Sequence, residues 1–419
     1  MDHSIPSYRG RSTTRRTFLK QVLALGGISA GAAILAACGA SIAAPTAAPQ
    51  PTAPPTTAPA APASAATAAA TSQAGATITP AAAGTAQSTT PQIVAAANAF
   101  LATLSDAEKA RVLFDWNNTA QKQRWSNLPE GLFQRAGLMW GNLSEAQQNA
   151  WMALMQATLS SEGYERVLAE WNADDALAAA QGSGGGGGPG GQLLFGKKYY
   201  WVAIIGTPSE TGPWQWQWGG HHVTVNATIV GSNIALTPSF IGVQPGTYTD
   251  ANGNTVRPLG DIEDEAFALV NSLDATQQQA AILGSTPIDL VLGPGQDGKT
   301  FQAEGLPAAQ MSAEQQAVFL KLIGHYAGLV NDAAAAARMA EIQANLVQTY
   351  FAWYGPTTAG SAAYFRVTGP SIVIEYSPQG GGGTGTGLGG AATNQHIHGI
   401  YRDPTNDYGA KYTGITIGS

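Results

Sequence analysis

A chain of 419 residues with 20 basic and 27 acidic side chains has a formal net charge of −7, and it shows no basic cluster after its opening segment. That balance argues against a phosphate-backbone partner, so nucleic-acid binding is excluded as its role. The single cysteine, Cys38, leaves no intramolecular disulfide and no thiolate metal site in the folded part.

The chain opens with Thr14-Arg15-Arg16-Thr17-Phe18-Leu19-Lys20 and an apolar run from Val22 to Ala37. A charged start and a short apolar core predict an export signal over residues 1–37, too short for a comfortable membrane span. The Arg15-Arg16 pair resembles a twin-arginine address, and Leu35-Ala36-Ala37-Cys38 resembles a bacterial lipobox. Cleavage before Cys38 would leave its thiol to carry lipid, making the membrane a partner and the cell envelope, outside the cytoplasm, the location. Loss of residues 1–37 removes five basic residues and one acidic, leaving a net charge of −11.

Residues 38–92 are almost entirely Ala, Pro, Thr, Ser and Gln, with little large apolar surface to offset ordering entropy, and are expected to form a disordered tether. The remainder, 93–419, reads as a single α+β domain with glycine-rich insertions near 182–191 and 380–390. Its helical signals are capping boxes at Ser105, Ser144, Asp274 and Ser312, each followed three residues later by Glu or Gln; the last opens the longest helical run, toward Trp353. Their spacing is not one period, so an internal duplication stays open. Asp261, Glu263, Asp264 and Glu265 read as a helix N-terminus, favoured by the macrodipole. Helices and strands come in separate runs, which predicts helical pairs packed on a largely antiparallel sheet.

Three strand pieces carry the residues with chemistry. In Trp214-Gln215-Trp216-Gln217-Trp218-Gly219-Gly220-His221-His222, parity sets the three tryptophans on one face. If the glycine pair does not bulge, His222, Thr224 and Asn226 continue that face and His221 points away. In the stretch Tyr364 to Tyr376, Ser371, Val373 and Glu375 share a face, and a lone carboxylate there needs a partner or a ligand. In the third piece His396, His398, Ile400 and Arg402 share parity. A His-x-His pair on a strand projects two imidazoles the same way, which suits a divalent ion.

From these pieces the expected centre is His221 or His222 with Glu375, His396 and His398, holding zinc first, with copper or iron as the alternatives. Glu375 would be ligand or general base, and Arg402 would steady a developing anion in a metal-assisted hydrolysis; redox chemistry is the other option. Two readings remain beside it: a metal-free acid/base or anion cleft that adds Arg366, and histidines with structural roles alone. His325, at helical spacing with Val318, Leu322 and Leu329, reads as a core or boundary histidine. A second function class is a non-catalytic surface lipoprotein offering an exposed face of Trp214, Trp216 and Trp218 to a glycan or peptide, although such ladders are more often core. No small-molecule or glycan ligand is named by the sequence.

Gly219-Gly220-His221-His222 with Asn226, Tyr364-Phe365-Arg366 with Gly369-Pro370 and Glu375, and His396-x-His398 with Tyr401-Arg402-Asp403-Pro404 and Asn406-Asp407-Tyr408-Gly409 together resemble the bacterial domain of unknown function family 3500. The resemblance runs from about Ala95 to Gly409. It implies exported or envelope proteins with one α+β domain and supplies no catalytic residue, but it ties the named positions to one site.

Overall fold

Four helices open on the reciprocal caps that the sequence spells out. Ser105, Ser144, Asp274 and Ser312 each accept the backbone N–H three residues on, while Glu108, Gln147, Gln277 and Gln315 reach back to the cap's own N–H. Two of the amides left without a partner inside each helix are thereby satisfied. The main helices are α1 (Thr90–Ala102), α2 (Asp106–Val112), α3 (Thr119–Lys122), α4 (Glu145–Thr158), α5 (Ser161–Gln181), α6 (Gly260–Ser272), α7 (Ala275–Ala281), α8 (Ala313–Ala327) and α9 (Asp332–Ala344). The acidic run opens α6, with Asp261 and Glu263 in its first turn. The run from Ser312 ends at Ala344, short of Trp353, which lies on a strand.

The computed structural model describes residues 89–181, 187–188, 191–380, 391–415 and 417. The expected signal, Cys38 and the tether up to residue 88 lie outside the described residues, as do most of the two glycine tracts. The helical part starts at Thr90, slightly earlier than the sequence suggests, with Pro91 in the first turn, where a missing N–H costs nothing.

Among the described residues one sheet has thirteen strands. They are β1 (Leu113–Phe114), β2 (Leu138–Met139), β3 (Trp201–Ile205), β4 (Trp214–Gly219), β5 (Thr224–Val230), β6 (Asn233–Ala235), β7 (Ser239–Val243), β8 (Ile282–Gly284), β9 (Leu306–Pro307), β10 (Tyr350–Tyr354), β11 (Tyr364–Gly369), β12 (Ile372–Gln379) and β13 (Thr393–Arg402). The order across the sheet is β1-β3-β4-β5-β7-β13-β12-β11-β10-β8. All pairs are antiparallel except β1 with β3 and β8 with β10, so the sheet is largely antiparallel as expected.

That order reads the same from both ends. Each half is a four-stranded meander whose outer strand takes one short parallel and one short antiparallel partner, and the halves join at β7 and β13. The likeness extends to single bonds. Gly206 N–H donates to Phe114 O and Gly355 N–H to Gly284 O, both at 2.9 Å. Gln148 caps Trp140 O and Leu143 O as Gln316 caps Ala308 O and Met311 O. Cap pairs 39 and 38 residues apart sit at matching places in the two halves, the duplicated plan that the sequence left open.

The two faces of the sheet differ in kind. Trp214, Trp216 and Trp218 are all 0% exposed and join Ile241, Ile374 and Tyr401 in the core. Trp216 meets Trp151 of α4 edge-on, Trp218 meets Trp171 of α5, and Phe351 meets Phe319 of α8. Burying such a ring is worth about 4–6 kcal/mol of gross transfer free energy, so these tryptophans anchor the helices. The expectation of an exposed Trp face for a glycan or peptide is therefore corrected.

The other face carries Gln215, Gln217, Asn226, Arg366, Glu375, Ser377, His398 and Arg402. Two long loops, 115–137 and 285–305, cover it through polar bonds, such as Gln217 Nε2 to Lys122 O and Ser377 Oγ to Ile288 O. A polar sheet face must be satisfied by whatever covers it, and backbone carbonyls and amides of irregular loops supply the partners.

Candidate metal centre

The Trp strand ends at Gly219 and does not run on through the glycine pair. Gly219 pairs with Thr224, and Gly220 N–H donates to Val223 O at 2.9 Å, so the chain reverses between β4 and β5 with His221 and His222 at the turn. A side chain at Gly219 would put its Cβ 2.5 Å from Thr224 Oγ1, and one at Gly220 would meet the Tyr200 ring at 2.5 Å. The reversal also puts Thr224 and Asn226 on the face opposite the tryptophans, correcting the parity expected for an unbroken strand.

This turn lies against the start of β13. Gly242 of β7 pairs with His398, and a Cβ there would sit 2.9 Å from Ile397 O and 3.1 Å from His222 O. Bare glycine backbone lets the turn and the His-x-His strand meet. His222 Nε2 stands 3.3 Å from His396 Nε2, which stands 3.0 Å from His398 Nε2. All three rings are buried, with exposures of 0%, 4% and 6%.

Bonds of about 2.0 Å at tetrahedral angles hold imidazole nitrogens about 3.3 Å apart, so the His222–His396 and His396–His398 pairs stand at the separation a shared ion requires, and a ligand atom from each of the three rings lies within 4.8 Å of the others. The far side of each ring is engaged as well. His222 Nδ1–H donates to Asp174 Oδ1 at 2.7 Å, and His396 Nδ1–H donates to Gly380 O at 3.1 Å. A carbonyl and an ionised carboxylate accept only, so both rings keep Nε2 free of hydrogen. His398 Nδ1 lies 3.3 Å from the Asn127 carboxamide, which offers N–H or, by a half turn, oxygen. With Asn127 donating, His398 Nε2–H completes the bond to His396; with Asn127 accepting, His398 carries its hydrogen on Nδ1 and turns Nε2 to a metal as the third nitrogen.

Electrostatics favour the ligand form. Burial, with the neighbouring His221, pushes His222 down to about 4 against the pull of Asp174. Burial and His222 push His396 down to about 3. Burial would raise the Asp174 carboxyl, but His222 and His221 hold it well below the usual carboxylate range. Neutral imidazoles beside an ionised orienting carboxylate are what a cation needs.

His221 stands beside the triad rather than in it, its Nδ1 3.3 Å from Asp174 Oδ1; Asp174, His221 and His222 make a second group able to hold an ion. Glu375 and Arg402 do not join the histidines, which corrects both expectations. Glu375 accepts Val291 N–H (2.9 Å), Leu292 N–H (2.7 Å) and Tyr364 O–H (2.7 Å), so its lone pairs are committed to the 285–305 loop. Arg402 donates to Leu292 O, Gly293 O, Asp297 and Asp407. Glu375→Gln is expected to cost about 1–3 kcal/mol, since one amide N–H would then face a backbone N–H. Metal uptake by that variant should equal wild type, compared by urea melts and titration of the same preparations.

The third ligand-bearing group, Glu162, Asp261 and His325, is filled by a guanidinium. Arg166 donates to both oxygens of Asp261 (2.8 and 2.6 Å), to Glu162 (3.2 Å) and lies 3.2 Å from His325 Nδ1.

Asp174 was not found by reading the sequence. It ends a ladder of charges at four-residue spacing along α5: Glu162, Arg166, Glu170, Asp174. Charged residues at helical spacing, of which Arg166, Glu170 and Asp174 are buried, were the available signal. Asn127 and the Gly380 carbonyl gave none, since one lies in a loop and the other acts through backbone. Glu170, the third rung, is 0% exposed, with Oε1 unpartnered among the described residues. Burial raises its carboxyl well above the ordinary value of 4.5 against the opposing charge of Arg166. Its contribution to stability is complete below that value and is lost as pH rises through the folded one. Glu170→Gln stays neutral, so between about pH 5 and 8 its melting temperature should fall less than that of wild type in calorimetry.

No match to the chain is found among curated proteins or solved structures. A family model described as "Protein of unknown function (DUF3500)" matches residues 86–410, the span that holds Asn127, Asp174, both histidine regions and both halves of the sheet, and the chain belongs to that family.

Proposed function

We propose that this protein is a membrane-anchored lipoprotein of the cell envelope that binds one divalent metal through His222, His396 and His398, and that the centre is catalytic. The observation that carries the reading is the convergence of three buried Nε2 atoms at 3.0 and 3.3 Å, with the opposite nitrogens of His222 and His396 donating to an aspartate and a carbonyl. Such a set leaves one tetrahedral position open, which separates catalytic from structural zinc sites. Zinc leads on ligand type, with copper or iron next.

When bound, the ion would supply Lewis-acid polarisation of a carbonyl or phosphoryl oxygen, and metal-assisted hydrolysis is the favoured class. The protein's own part is orientation: Asp174 fixes the His222 ring, Gly380 the His396 ring and Asn127 the His398 ring. The envelope location rests on the twin-arginine-like start and the lipobox ending at Cys38. Elemental analysis of tag-free protein tests the metal reading. About one equivalent of a transition metal, restored after chelation, is expected; less than about 0.2 equivalents that reconstitution does not raise contradicts it.

A further inference from the structure

One buried guanidinium ties together the two pieces of chain beside the histidines. Arg135, in the 115–137 loop, is 6% exposed. Its Nη2 lies within hydrogen-bond distance of Ser126 O (2.8 Å), Leu128 O (2.7 Å) and Gly220 O (2.6 Å), its two hydrogens shared among the three carbonyls. The first two carbonyls straddle Asn127, whose carboxamide meets His398. The third immediately precedes His221 and His222.

Nη1 lies 3.7 Å from Glu130, a carboxylate held in turn by Trp201 Nε1 at 3.0 Å. Nη1 and Thr224 Oγ1 lack hydrogen-bond partners among the described residues, and both residues line a cavity of about 10 Å³, room for one water. Burial pulls the guanidinium down to about 10 despite Glu130. An arginine desolvated in this way is a poor means of stabilising a loop, since an apolar residue does that better. It is a good way to hold carbonyls from two segments around one point, because the planar guanidinium fixes the directions of the Nη2 hydrogens.

We infer that Arg135 is a positioning residue of the metal centre, setting His222 through Gly220 and His398 through Asn127. The inference rests on the three-histidine reading above. The test is Co²⁺ and Zn²⁺ titration of the metal-free full chain, with the visible Co²⁺ spectrum reporting coordination geometry. Wild type is expected to give the intense bands of a four-coordinate ion. Arg135→Met should bind both ions about 10–100-fold more weakly, with weaker, shifted bands. Arg135→Lys should fall between, because an ammonium reaches fewer of the three carbonyls.

Arg366→Met is the control, since it removes another buried guanidinium, stacked 4.0 Å over Phe301, from the other half of the polar face. It should keep wild-type affinity and spectrum. An Arg135→Met chain that is folded by circular dichroism and matches wild type in both readouts overturns the inference. An equal loss in Arg366→Met overturns it too, as general destabilisation. If Arg135→Met does not fold, Arg135→Lys decides on the same readouts. A wild-type chain that takes no Co²⁺ overturns the metal reading and this inference with it, a result distinct from wild-type binding that Arg135 does not influence.

Discussion

Replacing His396 with alanine is expected to lower zinc affinity by two to three decades while leaving the metal-free chain folded. His396 is the middle ring of the three: its Nε2 contacts both His222 Nε2 and His398 Nε2, so its removal leaves two donors with nothing between them. A four-ligand zinc site is worth roughly 10–16 kcal/mol, about 2.5–4 kcal/mol per ligand, and each 1.4 kcal/mol is a factor of ten. The fold should survive because deleting one buried ring near a sheet end costs on the order of 1–2 kcal/mol, against a total of 5–15. Competition against a chromophoric chelator measures the affinity, and circular dichroism the fold. An unchanged affinity would remove His396 from the ligand set.

Asp174→Asn should weaken metal binding about 10–100-fold without touching a ligand. Asp174 is fully buried and accepts from His222 Nδ1 (2.7 Å), His221 Nδ1 (3.3 Å) and Tyr200 O–H (2.7 Å). The amide keeps one accepting oxygen, so either the histidines or Tyr200 must face an N–H₂ group. Two consequences follow together: His222 loses the charge that holds its hydrogen on Nδ1, and the chain loses about 1–3 kcal/mol from bonds to a charged group. Glu375→Gln has a similar expected stability cost and no expected effect on metal, so the pair separates orientation of the site from general weakening. Equal metal affinities for Asp174→Asn and wild type would contradict the orienting role.

Much of the architecture was legible because it is written in local chemistry. Capping boxes name their own partners three residues apart, and strand parity sets Glu375 on the face opposite Ile372, Ile374 and Tyr376, which lie in the core. The His-x-His pair was legible for the same reason, since alternation alone sets His396 beside His398. The tryptophan strand shows where local reading stops. In sequence Gly219-Gly220 reads as a possible bulge in one strand, and only the packing of Tyr200 and Thr224 against bare glycine makes it a reversal.

Glu375 was the clearest miss, and its reason is physical. A buried carboxylate needs partners, but backbone amides of a distant loop serve as well as a metal does, and the sequence cannot show that Val291 and Leu292 lie over it. Asp174 failed from the opposite side: on a helix, far from every histidine in sequence, it looked like one more polar residue of α5. The meeting of α5, the β4–β5 turn and β13 is a matter of long-range topology, and no spacing encodes it.

The most direct test of the three-histidine centre is X-ray absorption at the zinc edge of the full chain reconstituted with one equivalent of Zn²⁺. The expected spectrum shows about three imidazole nitrogens near 2.0 Å, with the outer-shell scattering of the rings, and one further light-atom ligand. A shell dominated by carboxylate oxygens, or fewer than two imidazoles per zinc, would contradict the assignment of His222, His396 and His398.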